Sequence, residues 1–366
     1  MEYKVRFVNY SGHYQKYRDE FLQTIDDVLS RGDLVLRRDV EEFEQKIASL
    51  VATRYAVALN SGTDALFFSL KAAGIGPGDE VITVAHTFVA SVAVIVHCGS
   101  TPILVDVGED FLMDMEKVEE AITPRTKAIM PVHLNGRVCE MDRLMSIAQN
   151  RHLFIIEDAA QALGAEFQGR KAGSFGRAAG FSLYPAKVLG TFGDGGVMTT
   201  NDERIAEKVR LLRDHGQKTK TELLGYGFNS RLDNLQAAIL NVKLKYFPGW
   251  IQRRREIAGL YYTGLSGISQ IQLPPRSDET HLDVYQNYVL RVERRDELFS
   301  YLKEKGVETL MKDPIALHHH SSLGLSHFSL PYTEQLAKEV ISLPCYPELS
   351  NEEAEYVIQA VKSFYV

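Results

Sequence analysis

The chain has 366 residues, of which 45% are hydrophobic and 24% are charged, proportions that are typical of a globular protein. Its net charge of −7 at pH 7 argues against a nucleic-acid-binding surface, because such surfaces are basic. Three widely separated cysteines, Cys98, Cys139 and Cys345, predict reduced thiols rather than a disulfide framework. The N-terminal segment has no apolar signal region, and the longest apolar run is too short to span a bilayer. We therefore predict a cytoplasmic protein.

The first 54 residues are predicted to form an arm followed by helices, because apolar residues recur there at helical spacing. From Tyr55 onward, short apolar strands alternate with helices. The predicted strands cover residues 55–60, 81–85, 102–107, 128–134, 154–159, 180–184 and 197–200. This alternation is typical of an α/β fold with a largely parallel sheet covered on both faces. Ligands of such sheets bind beyond the carboxyl ends of the strands.

The second half of the chain is predicted to begin with long helices at 203–214 and 232–262. A strand at 286–292, a helix from Arg295, a loop from Met311 to about Ser329 and two closing helices, at 333–343 and 351–364, follow. This order favours a small α+β domain at the C-terminus. We predict an N-terminal arm and large domain over 1–254 and a small domain over 255–366.

One lysine lies in a glycine-rich break between two apolar segments of the stretch Phe181–Asn201. Lys187 follows Pro185 and precedes glycines at 190, 193, 195 and 196. An ammonium between buried segments is desolvated, which lowers its pKa and increases the fraction of free amine. A free amine in a pocket is the nucleophile of Schiff-base chemistry. An ordinary lysine in a surface loop explains this stretch, taken alone, equally well.

Two other motifs fall where strands are predicted to end. The turn at Ser61-Gly62-Thr63 precedes a helix, and the free N–H groups of a helix start bind anions such as phosphate. An ordinary N-cap is the alternative interpretation of that turn. Glu157-Asp158 ends an apolar strand and either directs a carboxylate toward the ligand crevice or caps the next helix.

The order of these signals matches the needs of pyridoxal 5′-phosphate (PLP). The aldehyde of PLP reacts with a lysine amine, its ring nitrogen pairs with a carboxylate, and its phosphate takes a helix N-terminus. Here a candidate phosphate turn comes first, then Asp158, then Lys187 about thirty residues later. Ser182 is a further candidate phosphate ligand, although a buried strand serine often bonds only to backbone. The stretch GFNSRLDNLQAA holds Asn229 and Arg231 just before a helix.

Several motifs in a fixed order make the chain similar to one family along essentially its whole length. They are SGTDAL, GIGPGDEVI, TFVAS, ITPRTKAIMPVHL, EDAAQALGA, FSLYPAK, GDGG, RDHG, GFNSRLDNLQAA and SLPCYPEL. The chain resembles the DegT/DnrJ/EryC1/StrS family of PLP-dependent nucleotide-sugar aminotransferases. The resemblance implies the aspartate-aminotransferase fold (fold type I), with a seven-stranded, mostly parallel sheet, and a homodimer with active sites at the interface. It also implies that the amino group of L-glutamate, which becomes 2-oxoglutarate, passes to a nucleotide-linked keto-deoxysugar.

The resemblance assigns roles to individual residues. Lys187 matches the Schiff-base lysine and Asp158 the partner of the pyridine nitrogen, so these two are the predicted catalytic residues. Gln161 matches the group near the ring hydroxyl, Phe88 the aromatic that stacks on the ring, and Asn229 the residue that reaches the phosphate from the other subunit. The phosphate cradle is matched by Gly62, Thr63, Asp64 and Ser182.

The predicted substrate residues include positions where the chain departs from the family pattern. The family often has HYPxPLHxQ where this chain reads KDPIALHHH from Lys312 to His320. Lys312 and Asp313 thus replace the usual His-Tyr pair, and His318 matches the motif histidine. Further departures occur at 36–40 and 133–136. The resemblance implies that these sites face the sugar nucleotide. The predicted substrate residues are Tyr184, Arg231, Lys312 and His318.

Two details of this motif have specific interpretations. Lys312 has two possible partners, a phosphate or a sugar carboxylate. Three consecutive histidines suggest a metal, but consecutive side chains of an extended segment alternate in direction, so at most His318 and His320 share a face. We therefore predict no metal site.

The loop around Lys187 bears on which sugar carbon is aminated. YPAKVLG followed by GDGG resembles the branch that acts on 3-keto sugars. The branch that acts at C4 more often has His or Asn in place of the Tyr-Pro pair, and GEGG. C3 is therefore favoured, with a C4-acting aminotransferase or a PLP-dependent sugar dehydratase as alternatives within the family. The dehydratases have histidine at the position of Lys187. A non-catalytic regulator that kept the fold is an alternative from another class.

Overall fold

The computed structural model describes residues 3–365. Three helices precede the first strand: α1 (Tyr10–Lys16), α2 (Arg18–Arg31) and α3 (Arg38–Val51). Helix α2 ends at Gly32, which takes the left-handed conformation that glycine adopts without strain. The apolar face of α3 is buried through Val40, Phe43 and Ile47, so the periodicity seen in the sequence corresponds to the buried side of this helix.

A seven-stranded sheet forms the centre of the larger part of the described chain. The strands from the first to the ninth are β1 (Tyr55–Leu59), β2 (Glu80–Val84), β3 (Thr101–Val105), β4 (Thr126–Ile129), β5 (Phe154–Asp158), β6 (Glu166–Phe167), β7 (Arg170–Lys171), β8 (Ala178–Ser182) and β9 (Gly196–Thr200). Strands β6 and β7 form a separate hairpin, and the others pair in the order β1-β9-β8-β5-β4-β2-β3. Only β9 runs antiparallel to its neighbours, β1 and β8. The predicted α/β fold with a mostly parallel sheet is confirmed.

Helices connect these strands and cover the sheet. They are α4 (Gly62–Ala72), α5 (Ala90–His97), α6 (Met115–Ala121), α7 (Met141–Arg151), α8 (Glu203–Arg213), α9 (Asn234–Lys243) and α10 (Phe247–Leu265). The prediction of one helix over 232–262 was wrong, because the chain breaks between α9 and α10. Pro248 lies in the first turn of α10, where its missing N–H costs nothing, whereas inside a continuous helix it would remove a hydrogen bond.

The remaining elements include a smaller three-stranded sheet, a separate pair of strands, and one strand that joins the hairpin of β6 and β7. They are β10 (Gln217–Thr219), β11 (Glu222–Leu223), β12 (Ile271–Gln272), β13 (His281–Leu282), β14 (Tyr288–Val292), α11 (Arg295–Glu304), α12 (Pro331–Glu339), β15 (Val340–Leu343) and α13 (Asn351–Tyr365). Strands β12, β14 and β15 are antiparallel neighbours. The helix predicted over 333–343 ends at Glu339. The residues that follow are buried and partly β-branched, and they form strand β15, which pairs with β14.

A distinct hydrophobic cluster packs around this smaller sheet. Its members include Tyr261, Tyr288 and Ile358, and also Val5 from the N-terminal arm, which forms a backbone bridge with Val307. The predicted boundary between residues 254 and 255 lies inside α10, and the division into two domains stays a prediction. No helix among residues 3–365 combines the length and the apolar character needed to cross a membrane.

The segment 311–330 folds over the end of the large sheet. It was predicted as a loop, and it contains two short 3₁₀ turns, Leu317–His319 and Ser321–Leu323. Leucines of this segment pack in a small cluster with Ala85 and Leu104, which lie just beyond β2 and within β3. This packing brings the start of the segment, including Lys312, next to the carboxyl ends of the strands.

Candidate active site

Lys187 lies on the connection between β8 and β9, beyond the carboxyl end of β8. Its backbone N–H donates to the carbonyl of Tyr184 at 2.8 Å. The side-chain amide of Gln286 fixes both neighbours, since it accepts from the N–H of Val188 at 2.8 Å and donates to the carbonyl of Ala186 at 2.8 Å. The sequence offered no signal for Gln286, because its partners are about 100 residues away in the chain.

The Lys187 amine is buried, as the character of the flanking segments predicted. Burial and the positive charge of Lys312 lower its pKa to about 8, and the negative charge of Asp158 opposes the change. About a tenth of this amine is therefore unprotonated at pH 7, compared with less than about a thousandth for an ordinary lysine. The unprotonated form is the one that acts as a nucleophile and a base.

Asp158 is the last residue of β5, and its carboxylate is buried. One oxygen accepts from the hydroxyl of Ser91 at 2.6 Å, and the other accepts from the N–H of Ala160 at 3.1 Å. Burial raises the pKa of Asp158, while these two hydrogen bonds and the charge of Lys187 lower it. Among the described residues both donors to this carboxylate are neutral, so it remains available to a cationic or N–H-bearing ligand.

Glu157, one residue earlier, points to the opposite side of the sheet, because successive strand residues alternate in direction. Its carboxylate accepts N–H groups from Gly173, Phe175 and Gly176 at 2.6–2.8 Å, and Nε2 of His133 lies 3.0 Å from it. This buried cluster holds the connection from β7 to β8 in place. Of the two adjacent acidic residues, only Asp158 faces the cavity described next.

A cavity of about 540 Å³ lies at the carboxyl ends of the strands and contains Asp158 and Lys187 in its wall. Six other residues predicted from the sequence also line it: Gly62, Thr63, Phe88, Gln161, Ser182 and Tyr184. Lys187 also borders a second cavity of about 480 Å³, together with Tyr10 and Trp250. The lysine therefore lines two cavities.

The N-terminus of α4 forms one wall of the larger cavity. The hydroxyl of Ser61 accepts from the N–H of Asp64 at 3.1 Å, so this serine caps the helix and also lines the cavity. Backbone segments approach closely here: a Cβ on Gly62 would lie 2.7 Å from Cβ of Ser182, and a Cβ on Gly196 would lie 2.1 Å from the carbonyl oxygen of Ser61. Only glycine permits this approach, which leaves the helix start open to a ligand.

Five predicted site residues do not line the cavity of their own chain: Asp64, Asn229 and Arg231, and also Lys312 and His318 of the segment 311–330. The carboxylate of Asp64 accepts from the hydroxyl of Ser230 at 2.6 Å, and the residue does not line the cavity. Arg231 pairs with Asp214 at 3.0 Å, and Asn229 forms a backbone bridge with the same residue. Neither Asn229 nor Arg231 lines the cavity that contains Lys187.

Gln161 belongs to an amide network that the sequence did not reveal. Its side-chain oxygen accepts from the N–H of Asn135 at 2.8 Å and from the amide of Asn287 at 3.4 Å. Asn135 has a positive φ of 58°, a conformation that asparagine tolerates better than most residues. The network orients the Gln161 amide at the cavity wall.

The triple histidine is arranged differently from the prediction. Because Leu317–His319 forms a 3₁₀ turn, the expectation of an extended segment in which His318 and His320 share a face was wrong. Instead, Nε2 of His318 and Nε2 of His319 lie 3.2 Å and 3.6 Å from one carboxylate oxygen of Glu334. Among the described residues these three form the one group with ligand spacing, with their atoms within 4.8 Å of one another. His318 is fully buried and lies outside the cavity.

Lys312 lies near the start of the segment 311–330 and does not itself line the cavity. Its Nζ atom is buried and has no hydrogen-bond partner among residues 3–365. Burial lowers its pKa, and the negative charges of Asp313 and Asp158 oppose that change. Its own charge lowers the pKa of Lys187 and that of His86. Lys312 is therefore within electrostatic range of both predicted catalytic residues.

The fold, with a buried amine and a buried carboxylate in the wall of one cavity at the carboxyl ends of the strands, is that of an aminotransferase. The model of the DegT/DnrJ/EryC1/StrS aminotransferase family matches residues 15–362, and the chain belongs to this family.

Three relatives illustrate the similarity. A dTDP-3-amino-3,6-dideoxy-alpha-D-galactopyranose transaminase of Aneurinibacillus thermoaerophilus is 43% identical over 351 residues, 95% of this chain and 96% of that protein. A pleiotropic regulatory protein of Geobacillus stearothermophilus is 39% identical over 366 residues, 99% of this chain and 98% of that protein. The crystal structure of DesV from S. venezuelae is 40% identical and superposes with a TM-score of 0.96, covering 100% of this chain and 99% of that one.

Proposed function

We propose that this chain is a PLP-dependent sugar aminotransferase that transfers the amino group of L-glutamate to the C3 keto group of a nucleotide-linked keto-deoxysugar. The observation that carries the proposal is the burial of the Lys187 amine and the Asp158 carboxylate in the wall of one cavity, beside the N-terminus of α4. A volume of about 540 Å³ lies within the range of small-molecule sites.

The residues present fit PLP at several points. The Asp158 carboxylate, bonded only to neutral donors within the described chain, suits a protonated ring nitrogen. The start of α4 and the Ser182 hydroxyl suit a phosphate. The exposed ring of Phe88 at the cavity wall suits stacking on the cofactor ring. When bound, PLP carries the amino group between the two substrates and withdraws electrons from the reacting carbon.

The chain's own residues then have distinct tasks. With the cofactor bound, the unprotonated amine of Lys187 would take a proton from the reacting carbon of the donor and pass it to the cofactor, and it would deliver a proton to the sugar carbon in the second half-reaction. Asp158 keeps the ring nitrogen protonated, and Ser91 keeps Asp158 charged through its hydrogen bond. Gln286 holds both neighbours of the lysine, which limits the positions that the amine can reach.

The loop around Lys187 and one of the relatives support amination at C3 rather than at C4. Tyr184 lines the cavity and is half exposed, so it is available to the sugar, and Asp194 and Gly195 of GDGG line the same cavity. The relative from Aneurinibacillus thermoaerophilus is named for a 3-amino sugar. We assign Tyr184 to sugar binding in this cavity. His318, paired with Glu334, we assign to holding the segment 311–330.

We further propose a homodimer in which Asn229 and Arg231 complete the partner's cavity. Both residues lie outside the cavity of their own chain. They follow the hairpin β10–β11, whose end carries exposed Leu224 and fully exposed Tyr226, an arrangement typical of surfaces that a partner covers. The large cavity then receives residues from both subunits.

Mixed dimers test this arrangement. Lys187→Ala and Asn229→Ala chains are each expected to be inactive, and co-refolding them is expected to restore about a quarter of wild-type activity, because half of randomly paired dimers are mixed and each has one intact site. Sedimentation shows the oligomeric state. Activity that stays absent in demonstrated mixed dimers would place Asn229 in its own subunit's site.

The catalytic proposal is tested by adding PLP and following its absorbance. The wild-type chain is expected to form a PLP band that disappears with glutamate, whereas Lys187→Ala is expected not to turn over. Incubation with matched 3-keto and 4-keto nucleotide sugars, followed by NMR of the products, identifies the aminated carbon. An amine only at C4 would contradict the C3 assignment, and a deoxygenated product without nitrogen would indicate a dehydratase. A band that glutamate leaves unchanged, together with no amination, would favour a regulatory protein.

A further inference from the structure

The Nζ atom of Lys312 is a buried amine with no partner in the described chain. Burying an ammonium without a hydrogen-bond partner is unfavourable, so a ligand that supplies the missing partner gains from its presence. The residue as a whole is partly exposed, whereas its Nζ atom is buried. The buried amine thus has the environment of an ion-pair cation, and the described chain supplies no hydrogen-bonded anion for it.

Charged and titratable groups surround this amine on several elements. Asp313 adjoins it in the chain, Asp158 lies at the end of β5, Lys187 lies on the β8–β9 loop, and His86 follows β2. None of them hydrogen-bonds to Nζ of Lys312 within residues 3–365. The charges of Lys187 and Lys312 repel each other, which makes the region between them favourable for an anion.

The chemistry of the proposed function limits which anion reaches this position. Both half-reactions of an aminotransferase use the same cavity, and in both the reacting carbon must come to Lys187. In an amino-acid donor the α-carboxylate is attached directly to the reacting carbon. In a nucleotide sugar the phosphates are separated from C3 by ring atoms and the glycosidic oxygen. The α-carboxylate of the donor is therefore the anion that every cycle brings closest to Lys187.

We propose that Lys312 binds the α-carboxylate of the amino-acid donor; the inference rests on the proposed aminotransferase function. The positive charge of Lys312 allows the site to bind an amino acid, which has an α-carboxylate, in preference to a simple amine, which has none. It has no charged group to pair with when a neutral keto sugar occupies the same place. The loss of this residue consequently affects the two half-reactions unequally.

The experiment measures the two half-reactions separately in single turnovers, using PLP-loaded enzyme. Glutamate converts the PLP form in the first half-reaction, and the 3-keto nucleotide sugar with an uncharged ring converts the aminated form in the second. Lys312→Met is expected to lower the second-order rate constant with glutamate about 10- to 100-fold, the range for losing a hydrogen bond to a charged group. The rate with the sugar is expected to change less than about 3-fold, and Lys312→Arg is expected to recover part of the glutamate reaction.

A donor analogue locates the contact on the glutamate molecule. 4-Aminobutanoate is glutamate without its α-carboxylate, so Lys312→Met is expected to leave its slow reaction unchanged. An equal loss with glutamate and with 4-aminobutanoate would overturn the assignment and would place the lysine on the distal carboxylate. The exposed Lys303 on α11 provides a control, since Lys303→Met is expected to behave as wild type in both half-reactions.

Other outcomes also decide against the inference. A selective loss in the sugar half-reaction would assign Lys312 to the nucleotide phosphates, and the same loss seen only with a sugar that carries a carboxylate would assign it to that group. A raised dissociation constant for PLP with unchanged half-reactions would assign it to the cofactor. If the wild-type chain performs neither half-reaction, the proposed function fails; if it performs both and Lys312→Met is normal with glutamate, only this inference fails.

Discussion

The buried amine of Lys187 is predicted to destabilise the PLP-free protein. Its pKa is lowered from 10.5 to about 8, and one pH unit corresponds to 1.36 kcal/mol, so burying the charged amine costs about 3 kcal/mol at pH 7. The unfolded chain binds more protons than the folded one between these two pKa values. The penalty is therefore fully present below pH 8, decreases as the pH rises through that window, and falls below about 1 kcal/mol at pH 10.

Lys187→Met removes the titrating group and tests this calculation. We expect the variant to be more stable than the wild type by about 3 kcal/mol at pH 7, with a difference that shrinks by about 2–3 kcal/mol up to pH 10. Urea unfolding of both PLP-free proteins at equal concentration, from pH 7 to pH 10, measures the difference. Burial also lowers the pKa of Lys243 to about 8. Lys243 is present in both proteins, so its contribution cancels in the difference between their free energies of unfolding. A difference that does not vary with pH would refute the reasoning.

Three further substitutions test how the site is held. Gln286→Leu frees both neighbours of the catalytic lysine, and we expect kcat to fall about 10- to 100-fold with little change in KM in steady-state assays. Ser91→Ala removes a hydrogen bond that lowers the pKa of Asp158, so the carboxylate protonates more readily and the dissociation constant of PLP is expected to rise about 10-fold. Gly196→Ala places a Cβ 2.1 Å from the carbonyl oxygen of Ser61, and we expect denaturant unfolding to show a loss of more than about 2 kcal/mol.

Each of these expectations has a matched control. Gln286→Glu keeps one acceptor for the loop and is expected to retain more activity than Gln286→Leu; equal activities would show that the amide does not position the lysine. Ser91→Thr keeps the hydroxyl and is expected to bind PLP more tightly than Ser91→Ala. Gly249 has open space around its Cβ position, so Gly249→Ala is expected to leave stability nearly unchanged. A comparable loss in both glycine variants would contradict the steric argument.

The seven strands of the large sheet were predictable because each is a short apolar run bounded by turn signals, and burial on both faces requires such runs. The errors occurred where competing contacts decide between structures. Residues 340–343 have the apolar character of a helix continuation, and pairing with β14 makes them a strand. The histidine segment was treated as extended, whereas the short turn at Leu317–His319 brings two histidines to Glu334.

By itself, the sequence determined the family, the sheet and the candidate pair Lys187 and Asp158, because these depend on local patterns: strand ends, a glycine-rich loop and the order of motifs. Only the tertiary structure decided which neighbours act on that pair. Gln286 and Lys312 lie about 100 residues or more from Lys187 in the chain, and their proximity arises when the segments around the smaller sheet fold over the strand ends. Hydrogen bonds and charges act over a few ångströms in space, and no local pattern records distances between remote segments.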